Sequence, residues 1–142
     1  MDIRRLLPSD EESACEIARA FKCAQVDEAH MARFLADEEN YLIAAYVGDE
    51  PAGFILAYEL TRIDGARPKM FLYEIEVAAA HRRCGIGRAL IAELKRICEE
   101  RGVRTMFVFT EESNAAGMAL YGSTGSSRDA GETVMFEYVF AQ

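Results

Sequence analysis

The stretch Arg82-Arg83-Cys84-Gly85-Ile86-Gly87-Arg88 stands between an apolar run, Met70-Phe71-Leu72-Tyr73-Glu74-Ile75-Glu76-Val77, and an amphipathic segment from about Gly87 to Arg101. The run before it is rich in strand formers. In the segment after it, Leu90, Ile91, Leu94, Ile97 and Cys98 recur at helical spacing, and Gly102 is placed to stop the helix. A basic, glycine-containing turn that opens a helix suits phosphate. The first-turn N–H groups have no intrahelical partner, and the helix dipole favours an anion there. Gly85 and Gly87 let a ligand approach the backbone closely. Arg82, Arg83 and Arg88 add positive charge around the same spot.

Working outward, Thr105–Phe109 reads as a strand parallel to Phe71–Val77, because a helical crossover joins the two. Upstream, Asp2–Leu6 reads as an edge strand. Ser9-Asp10-Glu11-Glu12 matches a capping box with Ser9 as N-cap. The helix that follows would bury Ala14, Ile17, Ala18 and Phe21, and a second helix over Asp27–Ala36 would bury Met31, Phe34 and Leu35. Tyr41–Val47 and Ala52–Leu60, turned by Gly48-Asp49-Glu50, read as a hairpin. Asn114–Tyr121 is a short helix with Asn114 as its N-cap by type. Thr133–Phe140 reads as a last strand, with one more expected near Ser127–Ala130. The pattern predicts a single α/β domain over residues 1–142, a mixed sheet of about six to seven strands flanked by four helices.

With 142 residues, 51% hydrophobic and 28% charged, the chain has the composition of a folded globular protein. It has no apolar run of about 18 residues, so no membrane span is expected. Its beginning lacks a signal-peptide profile. Cys15, Cys23, Cys84 and Cys98 show neither a metal-ligand spacing nor a histidine partner, and read as reduced thiols of a cytoplasmic protein. A net charge of −8, from 24 acidic and 16 basic residues, disfavours nucleic-acid binding and favours a cationic small molecule.

The element order and the Arg82-Arg83-Cys84-Gly85-Ile86-Gly87 signature resemble the GNAT N-acetyltransferases over nearly the whole chain. Val77 stands five residues before Arg82, and Asn114 and Ala119-Leu120-Tyr121 follow further on. Tyr73-Glu74-Ile75-Glu76-Val77, His81-Arg82-Arg83-Cys84-Gly85-Ile86 and Met135-Phe136-Glu137 look most like the aminoglycoside 3-N-acetyltransferases of that superfamily. Two positions depart from the family pattern. Ala79 stands where a proline is usual, and Gly125-Ser126 where Gly-Phe is usual.

The resemblance implies acetyl-CoA as cofactor, a cationic amine as substrate, and a homodimer, for which the edge strands and Thr133–Phe140 offer surfaces. It implies that the backbone of Ile75 and Val77, the turn residues Arg82, Arg83, Cys84, Gly85, Ile86, Gly87 and Arg88, and Asn114 and Tyr121 bind the cofactor. Acetyl transfer needs a neutral amine, so it needs a base. Glu74 and Glu76, two apart on one strand, point to one face and should line a cavity, since neither is cheaply buried. Tyr73, Ile75 and Val77 would take the other face. Glu74 is the leading base, acting directly or through water, with Glu76 in reserve. Tyr121 is the candidate acid for the departing thiolate. Glu74, Glu76, Glu111, Glu112 and Glu137 are the candidate amine-binding carboxylates, with Glu111 and Glu137 marked by the resemblance. Two other readings stay open: the same fold acting on a polyamine, another small amine or a protein amine, and a noncatalytic acyl-CoA sensor.

Overall fold

A computed structural model of the chain describes residues 1–129 and 131–141. Its strands β1 (Asp2–Arg5), β2 (Asn40–Val47), β3 (Glu50–Leu60), β4 (Lys69–Val77) and β5 (Thr105–Phe107) form one sheet in chain order. The first three pairings, β1 to β2, β2 to β3 and β3 to β4, are antiparallel. The fourth, β4 to β5, is parallel, as a crossover helix requires. Gly48, at φ 62°, makes the hairpin turn between β2 and β3.

Four α-helices cover the sheet: α1 (Glu11–Lys22), α2 (Glu28–Ala36), α3 (Ile86–Arg101) and α4 (Ala115–Gly122). The apolar stripe of α3 packs Leu90, Ile91, Leu94 and Ile97 on Ile43, Ile55, Met70 and Leu72. On the other face, α1 and α2 press Ala14, Ile17, Met31 and Leu35 on Leu42, Ala44 and Phe54. Gly102 stops α3 in the left-handed conformation at φ 71°. Asp27 caps α2 by accepting from the His30 N–H at 2.7 Å.

Two expectations are corrected. Ser9 does not cap α1. It sits at φ 88°, Asp10 takes the N-cap position, and the Asp10 carboxylate accepts from the Leu7 N–H at 2.8 Å instead. The short side chain that would have closed a capping box is thus turned away by the backbone of the Pro8-Ser9 turn. The sheet also has five strands rather than six or seven. Thr133–Phe140 forms no strand, and its side chains stand exposed, because a strand needs a partner ladder and none among the described residues reaches this segment. The strand expected near Ser127–Ala130 does not form over residues 127–129, and Ala130 lies outside the described residues.

One buried polar cluster ties α3 to the sheet. Glu59 of β3 is 7% exposed; it accepts from the Tyr41 hydroxyl at 2.8 Å and from both Nε and Nη2 of Arg101 at 3.1 Å. These hydrogen bonds, those from Arg101 first, hold the Glu59 carboxyl below the usual carboxylate range. A depressed carboxyl stabilises the fold above its unfolded pKa, about 4.3, and loses that contribution as pH falls through its folded pKa. Arg101 is half exposed, which reduces the ~3–5 kcal/mol of a fully buried pair to about 2 kcal/mol. Arg101→Ala should therefore lower unfolding stability by about 2 kcal/mol at pH 7. In chemical denaturation against pH, the gap between the two proteins should close below about pH 4.

Candidate active site

The site begins with a bulge. Leu56 of β3 lies opposite Glu74, and Ala57 lies opposite Leu72, so Tyr73 is left over in the β4 ladder. Leu72 is buried in the α3-side core, yet Glu74, two residues on, emerges on the α1–α2 face, and Glu76 follows on that face opposite Phe54. An unbroken strand would put Leu72 and Glu74 on one side. The bulge thus keeps a carboxylate out of the core. It also corrects the expected place of Tyr73. Ile75 and Val77 pack against the α3-side core as expected. Tyr73 instead sets its ring edge-on to Tyr58 and Phe71, at 5.7 and 5.5 Å. The sequence carried a signal for this: the core-facing residues run Met70, Leu72, then Ile75, Val77, a phase change of one.

Pairing of β4 with β5 stops at Phe71↔Phe107. From residue 72 to residue 77, β4 keeps β3 on one edge and has no strand on the other, so alternate peptide groups turn into an open gap. This gap is a cleft of about 740 Å³. Ile75, Glu76 and Val77 line one wall, Gly85 and Gly87 lie at the head of α3, and Asn114, Leu120 and Tyr121 line the side toward α4. At the mouth, Arg83 (φ 62°) and Gly85 (φ 80°) take left-handed backbone, the conformation that turns successive N–H groups to one side of a loop. Nε of Arg82 donates to the Val77 carbonyl at 3.3 Å and fixes the loop to the strand end.

Two glycines set the close approaches. A Cβ on Gly87 would lie 3.3 Å from the Leu120 side chain, where α3 meets α4. A Cβ on Gly53 would lie 2.9 Å from the Glu76 carbonyl and 3.2 Å from Ile86, so β3 closes on β4 and α3 only because nothing is there. Gly53 is a site-shaping residue that the strand pattern alone did not single out.

The remaining cofactor-side residues divide. Arg88 has its fork on Ser123, at 2.7 Å to the hydroxyl and 3.3 Å to the carbonyl, so it anchors the end of α4 to α3. Asn114 caps α4 by accepting from the Gly117 N–H at 3.1 Å, and its amide donates to the Thr110 hydroxyl at 3.0 Å. Ile86 is buried in the core, whereas Cys84 is exposed with Sγ 3.5 Å from the Arg82 carbonyl. Tyr121 is partly buried, and that burial raises its phenol pKa, so the hydroxyl keeps its proton at neutral pH. A basic cradle on a helix N-terminus, followed by a free strand edge, fits a ligand with phosphates at one end and an amide-bearing arm.

Across β4 lies a second, smaller cavity of about 160 Å³, lined by Met31, Phe34, Phe54, Leu56 and Glu74. Its polar feature is an ion pair between the Glu74 carboxylate and the Lys22 ammonium at the end of α1. The Lys22 nitrogen also stands 6.0 Å from the centre of the Phe54 ring. The pair is partly exposed, so it is worth about 0–1 kcal/mol and can be exchanged for another ammonium. Lys22 was not foreseen; its only trace in the sequence is a basic residue in the last turn of an amphipathic helix. Glu74 lines this cavity, whereas Glu76, two residues on along the same face of β4, borders the larger cleft, so the two carboxylates do not line one cavity as expected. Glu111 is exposed beyond β5, and Glu112 pairs with Arg128 at 3.7 Å on the surface. Glu137 stands in the exposed segment 131–141 and lines neither cavity.

Residues 6–125 match the sequence pattern of the acetyltransferase (GNAT) family. The [Ribosomal protein bS18]-alanine N-acetyltransferase of Escherichia coli (strain K12) is 37% identical over 73 residues, covering 51% of this chain and 48% of that protein. The chain thus matches about half the length of that curated relative. An aminoglycoside acetyltransferase from an uncultured soil metagenomic sample, solved in complex with trehalose, superposes with a TM-score of 0.90 at 22% identity, over 99% of this chain and 96% of its own. Aminoglycoside N-acetyltransferase AAC(6')-Iy, solved in complex with CoA, superposes with a TM-score of 0.73 at 21% identity, over 99% and 100%. With its glycine cradle, its parted parallel strands and a family match over most of its length, the chain belongs to the acetyltransferase (GNAT) family.

Proposed function

We propose that this chain is a cytoplasmic N-acetyltransferase, a single domain over residues 1–142. In this reading it moves an acetyl group from acetyl-CoA directly to an amine of an aminoglycoside, in a ternary complex and as a homodimer. One observation carries the reading most. Glu74 already holds an ammonium group, that of Lys22, at an apolar cavity that adjoins the cofactor cleft across one strand. A carboxylate placed so selects cationic amines and can accept the proton that the attacking nitrogen must lose.

Acetyl-CoA, when bound, supplies the acetyl group as a thioester. The Arg83–Gly85 turn and the head of α3 bind its phosphates through backbone N–H groups, with Arg82 and Arg83 adding charge. The free edge of β4 at Ile75 and Val77 pairs with the amide-bearing arm and offers N–H donors to a developing oxyanion. Tyr121 holds a proton at its hydroxyl for the departing sulfur. Glu76 stands behind Glu74 as an alternative base, and Glu111 and Glu112 lie beyond β5 as outer binding sites for a polycation. The overall likeness to aminoglycoside acetyltransferases supports that substrate class, and the resemblance of the motifs supports the 3-N amine. The four free cysteines support a reducing compartment.

The alternative acceptor is a peptide amine, favoured by the 37% identity to a ribosomal-protein-alanine acetyltransferase. Thiol release from acetyl-CoA should appear with gentamicin or kanamycin and stay near background with spermidine or an alanine-initiated peptide. Release with the peptide or spermidine alone would discard the aminoglycoside reading, and binding of acetyl-CoA without any release would favour the sensor. Glu74→Gln and Tyr121→Phe should each lower turnover by about tenfold or more, with acetyl-CoA still bound in calorimetry. Lys22 competes with the acceptor for Glu74. Lys22→Ala should therefore lower the KM for the amine several-fold, by about the 0–1 kcal/mol of an exposed pair, and leave the KM for acetyl-CoA unchanged.

A further inference from the structure

The Lys22 ammonium stands where an acceptor amine would stand. It pairs with the Glu74 carboxylate at the smaller cavity, and only the backbone of β4 lies between that cavity and the larger cleft. The fold sets it there. Lys22 is the last residue of α1, and Cys23 turns the chain away in the left-handed conformation at φ 51°, so no further helical turn crowds the side chain. One residue earlier, the Phe21 ring packs on Phe54 with 5.1 Å between centroids and pins this end of α1 to β3. Phe54 and Leu56 are the β3 partners of Glu76 and Glu74, and the Lys22 nitrogen lies 6.0 Å from that same Phe54 ring. The pair is thereby held over the part of β4 that lies beyond its last pairing with β5, Phe71↔Phe107.

The chain has three lysines, and the other two are placed differently. Lys69 opens β4 at the end where β5 is still paired with it. Lys95 donates to the Thr124 carbonyl at 2.9 Å. Neither lines the cleft or the cavity. Lys22 alone carries its amine on a carboxylate at the wall of the cleft. Its flexible four-carbon stem is partly exposed and free to swing, and the spacing of neighbouring strands, about 4.8 Å, is within its sweep.

We propose that Lys22 is an acceptor of this chain's own reaction: with acetyl-CoA in the larger cleft and no other amine present, the chain acetylates itself at Lys22 Nζ. The proposal rests on the reading of Glu74 as base and of Tyr121 as acid, and it needs no aminoglycoside. Glu74 takes one proton from the ammonium, and the neutral Lys22 nitrogen attacks the thioester carbonyl. A bond forms from Nζ to the acetyl carbon, and the bond from that carbon to sulfur breaks. Tyr121 gives its proton to the departing sulfur. The nitrogen loses a second proton as the amide forms, which restores the tyrosine through solvent, and the proton on Glu74 passes to water. One ammonium and one thioester thus become one amide, one thiol and one released proton. The acetylated side chain is neutral and no longer pairs with Glu74 as a cation. The first transfer primes the site, leaving the carboxylate open to an incoming ammonium.

The full chain would be incubated with acetyl-CoA alone and followed by intact mass and peptide mapping. One acetyl group should appear on Lys22, about tenfold or more faster than on Lys69 or Lys95, at a rate that does not change with protein concentration. Glu74→Gln should bring Lys22 down to the rate of the other two lysines, and Tyr121→Phe should slow it with an unchanged far-ultraviolet spectrum. Acetylated chain, separated by ion exchange, should bind ethylamine several-fold more tightly than unmodified chain in the absence of acetyl-CoA, read from the amide shifts of α1. Lys22 left unmodified by saturating acetyl-CoA, equal labelling of all three lysines, or a rate that rises with protein concentration would overturn self-acetylation. Unchanged ethylamine binding would overturn the priming. Thiol release with kanamycin from a chain whose Lys22 stays unmodified would overturn this proposal and keep the aminoglycoside reading. Acetylated Lys22 without aminoglycoside turnover would do the reverse.

Discussion

Everything at this site depends on the parting of two parallel strands. β4 and β5 share three residue pairs and then separate, while β4 stays paired with β3 on both sides of the Tyr73 bulge. Unpaired backbone is costly when dry, so a free strand edge in the middle of a sheet persists where a ligand or water can satisfy it. Two features hold the gap open. The Tyr73 bulge bends β4 away, and α4, anchored to α3 through Arg88, Ser123 and the Gly87–Leu120 contact, stands where a strand would otherwise lie. Gly53 completes the arrangement from behind, letting β3 and α3 close on the last turn of β4 with no side chain between them. A 740 Å³ cleft with a basic, left-handed turn at its mouth follows from these contacts.

The bulge also separates the two cavities. With Leu72 in the core and Glu74 across the strand, the larger cleft and the smaller cavity share one thin wall, the backbone of β4. An ammonium held by Glu74 then lies next to the strand edge that would hold a thioester. Lys22 occupies that position in the free protein, and its partial exposure keeps its hold weak. The net charge of −8 adds a field that draws cations, while Phe34, Phe54 and Leu56 keep the inner wall apolar.

Much of this was legible in the sequence because it rests on local patterns. The 3.6-residue stripe of α3, the two runs of strand formers about the Gly48 turn, the glycine turn and the Asn114 cap are each set by neighbours in the chain. What was not legible depends on partners far away. Ser9 is the local exception: it takes a positive φ itself, and Asp10 takes the N-cap position. Tyr73 changed sides because the register of β3 against β4 slips, a fact of two strands and not of one. Lys22 meets Glu74 across 52 positions of chain, with no motif to announce it. Thr133–Phe140 has the composition of a strand, but among the described residues it has no ladder to join. Arg88 reads as a phosphate ligand by position, yet its hydrogen bonds go to Ser123.

The most direct test of the account is amide chemical-shift mapping of the isotope-labelled protein during titration with acetyl-CoA. The free edge of β4 and the head of α3 should respond together: Ile75 and Val77, then Gly85 and Gly87, with smaller changes at Asn114 and Tyr121. The amides of α1 around Lys22 should stay in place until an amine is added. Saturable shifts confined to other surfaces, or none at millimolar cofactor, would contradict the claim that the parted strands and the glycine turn form one binding site.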